Sequence, residues 1–220
     1  MDKSVDVIIA TPGHSMEAEY VRSLVATISL LNERGISFYY ANKYTSRVAA
    51  AREATAMDSD FLDAFNNAPL LGQVSYKKIF WIDSDIEWKP EDFLKLYESE
   101  LEIVSGLYQL DWAGTVAVNY PNGRGVPTRV NKVEFLLHDA PVEVGGVGFG
   151  FLAVKQGVFE KMARPWFLIN RVQWSESNPE LKVNVGEDYS WCANASRAGF
   201  KIWVDPSVKV KHHKETVYEV

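Results

Sequence analysis

Lys78-Ile79-Phe80-Trp81-Ile82-Asp83-Ser84-Asp85 decides how this chain is read. Its apolar run, closed abruptly by two acids, reads as a strand buried in the middle of a sheet rather than as a surface loop. Side chains alternate along a strand, so Asp83 and Asp85 are expected to point the same way just past its C-terminal end. Ligands of open α/β sheets bind outside the carboxyl ends of strands, and paired hard oxygens suit Mn²⁺ or Mg²⁺. Taken alone, an Asp-x-Asp is more often a turn or a cap. The buried strand before it is what favours a site.

Working backward, Val5 to Ala10 is a short apolar strand that stops at Thr11-Pro12-Gly13. Tyr20, Leu24, Ile28 and Leu31 then mark one face of a helix that Gly35 ends. Ile36 to Ala41 reads as a second strand and Ser46 to Met57 as a second helix, which carries Arg52, by itself an ordinary solvated helix face. Forward of the acids, Pro90 suits a first helical turn, Phe93, Leu94 and Tyr97 give that helix its apolar side, and the character of the chain changes after Glu102 to Leu107. Alternating strands and helices predict an α/β fold: three layers, a mostly parallel sheet with helices on both faces.

The second half looks more antiparallel. Thr115 to Asn119 and Thr128 to Leu137 read as strands around the hairpin signal Asn122-Gly123. Gly145 to Gly150 leads into the apolar Phe151 to Val154, then a short helix near Val158 to Met162. Trp203-Val204-Asp205-Pro206 reads as a strand end and a turn. Arg164 to Val185 is aromatic and irregular, and Trp166 and Trp174 are its candidates for stacking on a ligand.

At 220 residues one domain is expected over 1–220. A net charge of −6 argues against a nucleic-acid partner. Cys192, the single cysteine, allows no internal disulfide, and no apolar run approaches the roughly 20 residues of a membrane span, so the chain reads as cytoplasmic.

Two further clusters bear on chemistry. Gly186-Glu187-Asp188 opens a helix closed by Gly199, where acids favour the macrodipole or, alternatively, one carboxylate serves as base. In Val208-Lys209-Val210-Lys211-His212-His213, alternation puts His212 on the face of Val208 and Val210, where it serves as a core histidine or completes a metal site. The run Gly146-Val147-Gly148-Phe149-Gly150 lacks the spacing of a dinucleotide fingerprint; it forms a tight bend or lets backbone approach a ligand.

Taken in order, these pieces resemble the GT-A glycosyltransferases, in particular the inverting enzymes of family two, over nearly the whole chain. The resemblance rests on Ala10-Thr11-Pro12, Ala51-Arg52, Phe80 to Asp85, Gly148-Phe149, Gly186-Glu187-Asp188-Tyr189 and Trp203 to Pro206 before His212. It implies that Thr11 and Pro12 border the base of a nucleoside-diphosphate sugar, a UDP-sugar by family habit. It also implies that Arg52, Ser84 and Gly148 meet the donor and that Asp83, Asp85 and His212 surround the metal. Asp188, with Glu187 beside it, would deprotonate a carbohydrate or other hydroxyl acceptor. One departure is Arg52-Glu53, where relatives often have Arg-Asn. A nucleotidyltransferase would show a basic, glycine-rich loop after the first strand, and Thr11 to Ser15 has no lysine or arginine. A nucleotide-sugar-binding protein without turnover would keep Asp83 and Asp85 but need no base.

Overall fold

The computed structural model describes residues 3–59, 67–120, 130–175 and 178–214. Its first half is β1 (Val7–Pro12), α1 (Ala18–Glu33), β2 (Phe38–Lys43), α2 (Val48–Met57), β3 (Lys78–Ile82), β4 (Ile86–Glu87), α3 (Pro90–Glu98) and β5 (Ile103–Leu107). The second half adds β6 (Val142–Val144), β7 (Phe151–Lys155), α4 (Val158–Lys161), β8 (Asn170–Ser175), β9 (Asn178–Val185), α5 (Glu187–Arg197), β10 (Ile202–Lys209) and β11 (Lys211–His212).

The central sheet has seven strands in the order β6-β10-β5-β7-β3-β1-β2. β1 runs parallel to β2 and β3, and β10 runs parallel to β5. Only β7, inserted between β3 and β5, and β6 at the edge run the other way. Alternate residues of β3 serve opposite cores. Ile79 and Trp81 pack with Ile8, Ala10, Leu152 and with Met57 of α2 and Trp191 of α5. Phe80 and Ile82 pack with Val7, Ile9, Tyr20 of α1 and Phe93 of α3. That double burial is why β3 carries no polar alternation, and each such side chain stabilises the fold by about 1.5–3 kcal/mol.

Register then places the ends. Ala10 pairs with Trp81 and Phe151 with Ile82, so Thr11 to Gly13, Asp83 to Asp85 and the glycine tract before β7 emerge at the same edge of the sheet.

Three expectations are corrected. Of Thr128 to Leu137 only Val130–Asn131 is a strand among the described residues, because Asn131 opens a 3₁₀ turn at Lys132–Glu134. Its side chain accepts from the Val133 amide at 3.1 Å while Glu134 answers its own amide at 3.3 Å, and this reciprocal cap outcompetes the ladder. Pro206 does not end a strand: β10 runs through it, and the register shift between Asp205 and Lys209 absorbs the missing N–H. The Arg164 to Val185 segment is not irregular throughout, since β8 and β9 form an antiparallel hairpin. Asn122-Gly123 lies outside the described residues. No helix among them is long and apolar enough to cross a membrane.

Candidate active site

Arg52 points into the protein, not into solvent, and is 4% exposed. Alanines around it on α2 let the helix sit close to the sheet. Its Nη1 lies 3.0 Å from Asp83 Oδ1, Nη2 donates to Asp83 Oδ2 at 3.2 Å, and Nε donates to Glu187 Oε1 at 3.2 Å. The guanidinium also covers the Phe149 ring at 5.2 Å. A buried cation is tolerable only with such partners. Nη1 still lacks an aligned hydrogen-bond acceptor.

Asp83 and Asp85 take different partners, Arg52 and His212, while both line the same cleft. The Ile86 amide donates to the Asp83 carbonyl at 3.1 Å, a turn that ends the strand alternation behind the original expectation. Asp83, expected among metal ligands, is held by Arg52. Asp85 faces His212, whose Nε2 is 3.0 Å from Asp85 Oδ2. β11 delivers this histidine by pairing with β4, His212 opposite Ile86, and the His213 amide donates to the Asp85 carbonyl at 2.8 Å. His212 Nδ1 lies 3.0 Å from the Gln109 carbonyl, an obligate acceptor, so Nδ1 carries a proton and Nε2 is left for Asp85. The hydrogen bond to Asp85 is the main reason the His212 pKa is raised.

This donor set suits a hard divalent cation. Oxygen and imidazole ligands about 2.1 Å from one ion, at right angles, stand about 3.0 Å apart, the spacing seen here. Among the described residues no group of three or more His, Cys, Asp or Glu side chains could hold a metal ion. Mg²⁺-type sites commonly use one or two protein ligands plus phosphate and water.

A cleft of about 220 Å³ opens above these groups. Pro12 and Gly13 line it from the end of β1, Tyr44, Thr45 and Val48 from the β2–α2 connection, and Arg52, Asp83, Ser84 and Asp85 from below. Gly13 is forced: φ is +151°, and a β-carbon there would lie 3.0 Å from Ser84 Oγ. Tyr44, 56% exposed, sets its ring 4.6 Å from that of His14. Sequence reasoning missed it, although an aromatic just past a strand end at the ligand edge was a usable signal. Thr11 is not in the lining; it is fully buried and its hydroxyl bonds that of Tyr20.

Asp188 sits in the first turn of α5, its Oδ1 accepting the Tyr189 amide at 2.7 Å. Burial first, then the neighbouring Glu187, push its carboxyl up to about 6. A carboxylate poised there is suited to accept a proton near neutral pH.

Gly148 has another neighbour than the one expected. A β-carbon on it would fall 2.1 Å from the Tyr108 hydroxyl, which accepts the Gly150 amide at 3.0 Å. The glycines make room for Tyr108, which packs edge-on against His212 with ring centroids 5.7 Å apart. Tyr108, missed by the sequence reading, thus braces His212. Trp166 is core, 1% exposed, with Nε1 donating to the Phe159 carbonyl at 3.0 Å, so it cannot stack on a sugar. Trp174 lies in β8, its side chain outside the described residues.

Comparison with known structures fits this architecture. GalNAc-T7, solved with UDP, GalNAc and Mn²⁺, superposes with a TM-score of 0.55 at 10% identity, over 94% of this chain and 43% of that one. The chain has the GT-A fold. A197 from STIV gives the same TM-score, 0.55, at 19% identity, over 98% of this GT-A chain and 97% of A197. No protein-family model matches the chain, and no curated protein matches it.

Proposed function

We propose that this protein is a metal-dependent glycosyltransferase whose single domain, 1–220, transfers a sugar from a nucleoside-diphosphate sugar, a UDP-sugar, to an acceptor hydroxyl with inversion. The observation that carries the reading is one ligand cleft at the strand ends, floored by the Arg52–Asp83 and Asp85–His212 pairs, with an elevated carboxylate, Asp188, on the α5 turn that Arg52 also holds through Glu187. The GT-A fold supports it.

In this reading Asp85 and His212 hold Mn²⁺ or Mg²⁺, which when bound offsets the negative charge gathering on the departing diphosphate. Pro12 and Tyr44 flank the nucleobase, and Tyr44 offers it a stacking face. Arg52 keeps Asp83 and Glu187 fixed, so the floor is organised before the donor arrives. Asp188 takes the proton of the acceptor hydroxyl as that oxygen bonds to the anomeric carbon. The bond from that carbon to the diphosphate oxygen breaks on the opposite face, and the nucleoside diphosphate leaves. Trp112, fully exposed at 103% and three residues after the Gln109 whose carbonyl meets His212, supplies an aromatic surface for the acceptor. Localisation in the cytoplasm belongs to the same reading.

Calorimetry with several nucleoside diphosphates, with and without Mn²⁺, tests it on the parent and on Asp85→Ala. Binding of UDP that needs Mn²⁺ and is lost in the variant is expected. Binding indifferent to both would remove the metal site, and a product of retained configuration would remove Asp188 as base.

A further inference from the structure

Arg52 and Glu53 are neighbours on α2, yet they engage opposite feet of the β8–β9 hairpin. Arg52 binds Glu187, two residues past the end of β9. Glu53, 4% exposed, binds the segment that enters β8: its Oε1 accepts Arg164 Nε at 2.9 Å, and its Oε2 accepts the amides of Trp166 at 2.9 Å and Phe167 at 3.2 Å. The Arg164 guanidinium lies over the Trp166 ring at 5.1 Å, and its amide donates to Asn67 Oδ1 at 3.1 Å. Ser190 of α5 ties the feet to each other, since its Oγ accepts the Asn170 amide and donates to the Val185 carbonyl, both at 3.0 Å.

One turn of α2 therefore pins a sixteen-residue hairpin, Asn170 to Val185, at both ends, and the base Asp188 is attached to the same junction. The carboxylate at 53 is what a shorter, neutral asparagine would not supply: a charge for Arg164 and an oxygen for two buried amides at once. Glu53 is not among the residues that line the cleft.

We propose that Glu53 is a positioning residue for transfer: it locks the entering foot of the hairpin so that α5 presents Asp188 at a fixed distance from the Arg52–Asp83 floor. This rests on the glycosyltransferase reading above. Without Glu53, the Trp166 and Phe167 amides and Arg164 lose a buried acceptor, the foot loosens, and Asp188 drifts while the nucleotide floor stays intact.

The test compares the parent with Glu53→Ala and Glu53→Gln by three measurements: UDP affinity with Mn²⁺, turnover of UDP-sugar, and amide hydrogen exchange across 168–185. In Glu53→Ala, kcat should fall about 10- to 100-fold, the scale of a misplacement near 1 Å. UDP affinity should hold within about twofold, as for an independent site. Exchange across the hairpin should rise. Glu53→Gln, which keeps the side-chain volume and an oxygen for the two amides but not the charge for Arg164, should recover most of kcat and of the protection; a general loss of packing would instead lower UDP affinity along with kcat. Should Glu53→Ala fail to fold, Glu53→Gln decides with the same split at smaller amplitude. Unchanged exchange, or a loss of UDP affinity in step with kcat, overturns the proposal. A parent that neither binds UDP nor turns over UDP-sugars overturns the glycosyltransferase reading instead, and the exchange comparison still decides the tether.

Discussion

Asp188→Asn should remove turnover and make the protein more stable at neutral pH, and both effects follow from one displaced titration. The folded-state carboxyl stands at about 6 against an ordinary 3.8, because burial and Glu187 disfavour its charge. A raised carboxyl binds its proton more tightly in the folded than in the unfolded chain. Its contribution to stability is therefore full below the unfolded value and is lost as pH climbs through the folded one. A gap near two units corresponds to on the order of 2–3 kcal/mol of destabilisation once the pH is well above 6. Asparagine retains an oxygen for the Tyr189 amide and carries no charge, so it escapes that cost. Urea unfolding of parent and variant across pH 4.5–8 should show the variant ahead at pH 7.5 and the gap closing as pH falls through 6. Activity should move the opposite way. At pH 5 only about a tenth of a carboxyl titrating at 6 is ionised, so kcat/KM of the parent should drop about tenfold between pH 7 and 5. An unperturbed aspartate would stay almost fully ionised over that range. Equal stability of the two proteins at pH 7.5, together with a flat activity profile down to pH 5, would refute the reasoning.

The other expectations concern single contacts. Arg52→Met strips Asp83 and Glu187 of their shared cation and should lower the urea-derived stability by about 3 kcal/mol, the low end for a broken buried pair because Asp83 keeps 31% side-chain exposure. Adding Asp83→Asn to it should return part of that loss. Gly148→Ala drives a methyl into the Tyr108 hydroxyl and should cost about 1–3 kcal/mol. In the double variant with Tyr108→Phe, the thermal midpoint should fall by less than the sum of the single effects, since the tightest of the three close contacts leaves with the hydroxyl while those to Ala117 and the ring remain. Tyr44→Ala should weaken UDP binding by roughly tenfold, on the scale of one lost stacking contact, without altering its dependence on Mn²⁺.

The half of the fold built from βα units was legible because its strands are buried on both faces and leave unbroken apolar runs such as Ile79 to Ile82. His212 was legible in the same way, from alternation with Val208 and Val210, both at 8% exposure or less. Failures came where a local or a distant contact outweighed periodicity. Asn131 and Glu134 form a cap four residues long that ends a strand pattern. Trp166 carries the same composition signal whether it stacks on a sugar or fills a core, and only the Phe159 carbonyl decides. The partners of Arg52 are 31 and 135 residues away, and no spacing rule reaches that far. Glu53 was visible as a departure, but its reason lies 111 to 114 residues on, at Arg164 and the two amides that follow.

The charges that meet across those separations constrain how the site is filled. Asp83, Glu187 and Asp188 gather around Arg52, whose guanidinium is already paired with two of them, and Asp85 lines the same cleft. The protein offsets the excess in two ways: burial holds Asp188 toward its neutral form, and Asp85 draws a proton onto His212. A bare diphosphate entering this cleft would meet Asp83 and Asp85, and among the described lining residues the one cation, Arg52, is already paired. Nucleotide affinity should therefore come almost wholly through a divalent cation at Asp85 and His212. Since that cation must displace the proton on His212, Mn²⁺-dependent UDP binding should strengthen as pH rises through the elevated His212 titration. Calorimetry at fixed Mn²⁺ across pH 5.5–8.5 measures this directly. Affinity that is flat, or that weakens with rising pH, would mean that the diphosphate finds its positive charge elsewhere on the protein.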